Sequence, residues 1–149
     1  SASATTAKKN NTTTTSSGNL GWPVPSCHSI SSGYGYRIHP VTGVRKLHAG
    51  IDIPCSTGST IVAAASGTVI DAGYNSYNGN YLKISHGNGV ASVYMHMSRI
   101  ANIHTGMSVS AGTTIGYVGS TGVATGAHLH LGILLNGNYV SPWNYISRP

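Results

Sequence analysis

Asp52 follows His48 by four residues in His48-Ala49-Gly50-Ile51-Asp52, and His128-Leu129-His130 comes far downstream. Asp52 and Asp71 are the only carboxylate side chains, and glutamate is absent. A carboxylate kept among apolar residues beside a histidine, in a chain so short of acids, points to a bound ligand. A His, an Asp and a second His make a three-ligand Zn²⁺ site with a fourth position open for water, the arrangement that separates catalytic from structural zinc. Without glutamate, the proton transfers of such a centre fall to histidine.

Spacing supports shared faces. Residues two apart in a strand project the same way. His128 and His130 therefore point together, with Leu129 and Leu131 turned to the buried side, although this does not require both to bind a metal. His48 and Asp52 also share a face if their segment is extended. Gly50 between them leaves the site unobstructed. A helix is opposed there by Gly50, by the β-branched Ile51 and Ile53, and by Pro54. A third element, Tyr94-Met95-His96-Met97, ends a strand and by itself decides nothing.

The elements that position these residues are short and punctuated by Gly and Asn. Segments 60–63, 67–70, 81–84, 91–94 and 114–118 read as strands, with turns at Gly87-Asn88-Gly89 and Asn136-Gly137-Asn138. No dozen residues carry a helical apolar period, and twenty glycines disfavour helix. The fold expected is all-β: a mostly antiparallel sheet, a groove holding the metal site, and short helical turns at 98–100 and near 144–145. Residues 1–19, nearly all Ser, Thr, Ala, Asn, Lys and Gly, cannot bury enough surface to offset ordering. They read as a flexible linker from something upstream, and residues 20–149 as the domain. The start at Ser1, without methionine or leader, reads as a processed or excised fragment.

Eight Lys/Arg against two acids give a formal charge of +6, which favours anionic partners. The charges are scattered and accompany no nucleic-acid motif, so nucleic acid is not an expected partner. No apolar run approaches the ~18–20 residues needed to cross a bilayer. Cys27 and Cys55 are expected to form a disulfide, and hence to meet an oxidising compartment. The loop they close would contribute roughly 3–4 kcal/mol.

Several ordered motifs resemble the catalytic domain of the M23 family of zinc endopeptidases, the lysostaphin and LytM-like group that cuts bacterial peptidoglycan. They are Ser32-Gly33-Tyr34-Gly35-Tyr36-Arg37, His48 to Asp52, Ala64-Ala65-Ser66-Gly67-Thr68-Val69, His86-Gly87-Asn88-Gly89, Tyr94-Met95-His96, Gly119-Ser120-Thr121-Gly122 and 125–130. The resemblance runs from Trp22 to Tyr145. It implies that His48, Asp52 and His130 hold Zn²⁺, and that His96 and His128 are a catalytic pair facing the metal. One of the pair takes a water proton; the other stabilises the oxyanion or protonates the leaving amine. The family often continues its last motif with Phe-Glu where this chain has Leu131-Gly132. Ala127, Met97 and Ala124 are further departures, and no ligand position is lost.

Of the remaining candidates, His39 resembles a residue beside the family's substrate groove. His86 is read as shaping the turn with Asn88, His28 and His104 as surface residues, and Asp71 as a turn residue closing a strand. Tyr34, Tyr36, Tyr74 and Tyr77 are groove candidates without an assigned role. The expected protein is a monomeric zinc peptidase, secreted or at the cell surface, that cuts peptidoglycan stems or cross-bridges and meets anionic wall polymers. Its rivals are a non-catalytic activator of wall hydrolases and a wall-binding module with incidental zinc.

Overall fold

The computed structural model describes residues 20–38, 41–124, 126–147 and 149. The linker reading of residues 1–19 and the groove-side placement that the resemblance suggests for His39 fall outside them. Among the described residues there are twelve strands and one 3-10 turn at Pro142–Asn144.

The site is carried by the larger sheet. Strand β1 (Gly35–Ile38) pairs with β2 (Arg45–His48) as a separate hairpin. After a turn the chain enters β3 (Ile51–Pro54). The three-stranded sheet is built from β4 (Thr60–Val62), β8 (Arg99–Ile100) and β10 (Thr114–Tyr117), with β10 central. In the seven-stranded sheet, β9 (Ser108–Val109), β5 (Gly67–Asn75), β6 (Gly79–Gly87), β7 (Val90–Met97), β11 (His128–Leu135) and β12 (Asn138–Val140) lie side by side in that order. Strand β3 completes it on the free half of β11, its residues 51–54 opposite 131–128. Every pairing between these strands is antiparallel.

Period-two patterning explains the layering. Ile51 and Ile53 on β3, Leu82 and Ile84 on β6, and Leu129, Leu131 and Ile133 on β11 are all fully buried. Each such side chain contributes roughly 1.5–3 kcal/mol by leaving water. Intervening residues of β3 and β11 are thereby turned to the opposite face, where Asp52, His128 and His130 lie. Both expected turns close hairpins: Asn88 and Asn136 adopt φ of 55° and 52° beside glycines that are also left-handed, as tight hairpin turns demand. The disulfide between Cys27 and Cys55 is formed, with Cα atoms 5.8 Å apart.

Three local expectations are corrected. Residues 99–100 are not a helical turn but strand β8, opposite Tyr117 and Gly116; the β-branched Ile100 gains a sheet partner that no local pattern reveals. Asp71 does not close a strand. It sits within β5 opposite Lys83, at an irregularity between Val69 and Asp71, and accepts the Tyr81 hydroxyl at 3.2 Å. His86 does not shape its turn; it donates from Nδ1 to the Ser66 carbonyl at 2.8 Å and accepts at Nε2 from Ser92 Oγ at 2.8 Å. The helical turn expected near 144–145 is present at 142–144.

Candidate metal centre

Asp52 and His130 face one another across β3 and β11, so their side chains share one face of the sheet. His48 closes β2 just before the turn into β3. The space between them depends on Gly50. A Cβ there would lie 2.7 Å from His130 Nε2 and would also strike the Leu131 carbonyl.

The ligand atoms converge. His48 Nε2 is 3.2 Å from Asp52 Oδ1 and 3.2 Å from His130 Nδ1, and His130 Nδ1 is 3.0 Å from the same carboxylate oxygen. All three atoms fit within 4.8 Å of one another. His48 Nδ1 lies 2.8 Å from the Gly33 carbonyl, to which it donates. In the neutral ring this leaves Nε2 as a lone pair facing a carboxylate, an acceptor against an acceptor that a divalent cation between them reconciles; a protonated ring would instead donate to Asp52. A second partner that fixes the ring in this way is typical of metal-bound imidazole. The donor set therefore suits a metal ion. Burial acts to raise the Asp52 carboxyl, but the hydrogen bonds and charge of His130 and His48 outweigh it and hold the group well below the usual carboxylate range.

His96 and His128 complete the constellation. His128 precedes His130 by two residues on the same face, and its Nε2 lies 3.6 Å from Asp52 Oδ1. Its Nδ1 donates to the Gly126 carbonyl at 2.8 Å. His96 needs a special backbone, because strand alternation would send it to the core face with Ser92 and Tyr94. Tyr94 lies opposite Leu82 but Met97 opposite Asn80, so β7 has an extra residue here, and His96 takes φ of 65°. Such a bulge redirects a side chain, and this one turns the imidazole into the cleft. The ring centroids of His96 and His128 are 5.1 Å apart.

The bulge is held from the neighbouring loop. His96 N donates to the Asn78 carbonyl at 2.8 Å, and its Nδ1 to the Thr121 carbonyl at 2.7 Å. Thr121 Oγ1 donates to the Met97 carbonyl at 2.7 Å and accepts from Asn80 N at 3.1 Å. Asn80 Nδ2 reaches the Met97 and Ser98 carbonyls at 2.9 and 3.2 Å. Both catalytic-pair candidates thus commit Nδ1 to a carbonyl, with Nε2 of His128 beside the Asp52 carboxylate. Burial, first, and the adjacent His128 and His130 push His96 down to about 4, against a smaller opposing effect of the Thr121 bond.

The centre lies in a cleft of about 470 Å³ whose walls include Val41, Lys46, Leu47, Tyr77, Val123 and Tyr139. Gly132 makes room for the Tyr139 ring, since a Cβ there would lie 2.8 Å from its Cε1. Of the tyrosines considered from the sequence, Tyr77 lines the cleft; Tyr34, Tyr36 and Tyr74 do not. His28 and His104 are exposed, as expected. Sequence reasoning missed Lys46, Asn80, Thr121 and Tyr139. Lys46 left a legible signal, two residues before His48, and Thr121 lay within the quoted motif at 119–122.

Residues 46–142 match peptidase family M23. A peptidoglycan DD-endopeptidase of Vibrio cholerae, ShyC, is 44% identical over 106 residues, covering 71% of this chain and 24% of that protein. A zinc-containing peptidase of Vibrio cholerae superposes with a TM-score of 0.78 at 31% identity, over 91% of this chain and 41% of that one. The catalytic domain of lysostaphin from Staphylococcus simulans gives 0.70 at 31% identity, over 77% of this chain and 89% of that domain. The antiparallel fold and the His-Asp-His cluster define a metallopeptidase domain. The chain belongs to peptidase family M23, and spans about a quarter of the length of the curated relative ShyC.

Proposed function

We propose that this chain is a zinc-dependent endopeptidase that cuts peptide bonds in bacterial peptidoglycan. His48, Asp52 and His130 would hold the zinc, and His96 and His128 would carry the protons. The observation that bears most weight is the pair of imidazoles beside the His-Asp-His set, their centroids 5.1 Å apart and each with Nδ1 committed to a carbonyl. A bound zinc ion lowers the pKa of water and polarises a carbonyl oxygen. Around it, one Nε2 would accept a proton from the attacking water and, as the imidazolium so formed, return it to the leaving amine, while the other ring would donate to the oxyanion only when Nε2 carries a proton. General acid–base help of this kind is typically worth roughly 10²–10⁴ in rate. The Gly126 and Thr121 carbonyls hold the two rings in one orientation, so neither must reorient before reacting.

Peptidoglycan as substrate is supported by the likeness to ShyC, a peptidoglycan DD-endopeptidase, and by the aromatic-flanked cleft. The disulfide supports an extracellular or cell-surface setting, and the +6 charge supports loose attraction to anionic wall polymers. The domain would begin at residue 20, where Leu20 is buried and bridges Ile146. Digestion of purified peptidoglycan, with new amino termini identified by mass spectrometry, tests the reading. Chelator-sensitive new amines support it. Their absence from zinc-loaded protein on several wall types favours the activator or binding alternative.

A further inference from the structure

Lys46 stands out once the charges around the cleft are tallied. Among the described residues it is the sole lysine or arginine in the lining, and Asp52 is the sole acid. Asp52 is already engaged by His48, His128 and His130. The other acid of the chain, Asp71, is taken by Tyr81. Among the described residues, every ion pair joins Asp52 to a histidine. Lys46 therefore has no acidic partner within the described protein, and it is exposed.

Its position is as informative as its charge. Lys46 lies two residues before His48 on β2, so its side chain leaves the same face of the strand as that ligand. Two residues of strand span about 6–7 Å, comparable to one residue of an extended substrate. The ammonium is a compact charge on a flexible four-carbon stem, able to meet an anion one residue along from the metal centre. Val41, Leu47 and Val123 are apolar, and Tyr77 and Asn78 are uncharged. Among the described lining residues, the other groups able to attract an anion are the histidines of the centre itself.

We infer that Lys46 is a specificity-determining residue, selecting substrates that carry a free carboxylate next to the scissile peptide bond over neutral ones. This rests on the peptidase reading above and deepens it. A glycine bridge offers no such carboxylate within the strand being cut. A cross-link whose amine-donating residue keeps its own carboxyl group does, as does a peptide ending one residue beyond the cut.

Matched peptides, with the carboxylate replaced by a carboxamide, test the inference. One pair carries the change on the residue that supplies the scissile nitrogen, the other at a C-terminus one residue further on; comparing them identifies which carboxylate is read. Wild-type protein is expected to favour the carboxylate member of at least one pair about tenfold in kcat/KM, equivalent to about 1.4 kcal/mol. Lys46→Met should erase the preference by lowering only the carboxylate rate, Lys46→Arg should retain it, and added salt should weaken it. No preference in the wild type, or an unchanged preference in Lys46→Met, overturns the inference while leaving the peptidase reading standing. Absence of cleavage from zinc-loaded wild type instead strikes the peptidase reading. Equilibrium binding of the same peptides, to the His96→Ala protein with and without Lys46→Met, then decides the role of Lys46 separately.

Discussion

His96 Nδ1 donates to the Thr121 carbonyl at 2.7 Å, while the hydroxyl of Thr121 holds the Met97 carbonyl at 2.7 Å on the other side of the bulge. One residue thus braces both the ring of His96 and the left-handed backbone that aims it.

Thr121→Val keeps shape and removes the hydroxyl. It is expected to lower kcat about ten- to hundredfold with KM and zinc content little changed, whereas Thr121→Ser stays near wild type. In a His96→Ala background the same substitution should cost almost nothing further, because residues acting through one another are not additive. Full additivity, measured by steady-state kinetics on one peptide, would mean that Thr121 serves the fold rather than His96.

Gly50→Ala places a methyl group against His130 Nε2 and the Leu131 carbonyl. Zinc affinity, read by chelator competition, should fall at least tenfold. In wild-type protein the melting temperature should rise with free zinc, since ligand binding to the native state adds RT ln(1 + [L]/Kd). A Gly50→Ala protein with wild-type zinc affinity would show that His130 can shift without cost.

A polar chain crosses the core on the face of the sheet away from the centre. Ala64 N donates to Tyr94 Oη at 3.0 Å, Tyr94 contacts Ser92 Oγ at 2.7 Å, and Ser92 contacts His86 Nε2 at 2.8 Å. With His86 Nδ1 given to Ser66, the protons run in one direction only, from Ala64 to His86. Tyr94→Phe leaves the Ala64 amide unsatisfied and should destabilise by about 1–3 kcal/mol in urea unfolding.

The same chain needs neutral His86, and burial pushes that imidazole below its ordinary value despite the Ser66 bond. A depressed histidine means that the unfolded chain binds more protons, so its stabilising contribution is full above about pH 6.5. It falls as pH drops from there towards the folded-state value. Metal-free protein should therefore lose stability on acidification through this window, and His86→Gln should flatten the dependence. An unchanged slope in that variant would assign the effect to other groups.

Reduction of Cys27–Cys55 removes the covalent tie between the segment ahead of β1 and the end of the strand that carries Asp52. The loss expected in denaturant unfolding is about 3–4 kcal/mol, and the Cys27→Ser/Cys55→Ser variant should match the reduced protein. A reduced protein as stable as the oxidised one would place the anchoring in the apolar contacts of Trp22 and Val24 instead.

Much of this was legible in the residues. Alternation of Leu129 and Leu131 with His128 and His130 already assigns two imidazoles to one face, because side chains in a strand have period two. Gly50 and Pro54 exclude a helix around Asp52. The scarcity of acids singles out the one carboxylate with a histidine neighbour, and Asn-Gly marks a hairpin wherever both residues must take positive φ. Other features depended on partners distant in sequence. His96 faces the cleft because Asn78, Asn80 and Thr121 hold a bulge that alternation contradicts; Arg99 and Ile100 form a strand because β10 arrives to pair with them. Local chemistry set which side chains could bind a metal, while long-range hydrogen bonding decided where each ring points, and that orientation depends on backbone atoms contributed by other segments.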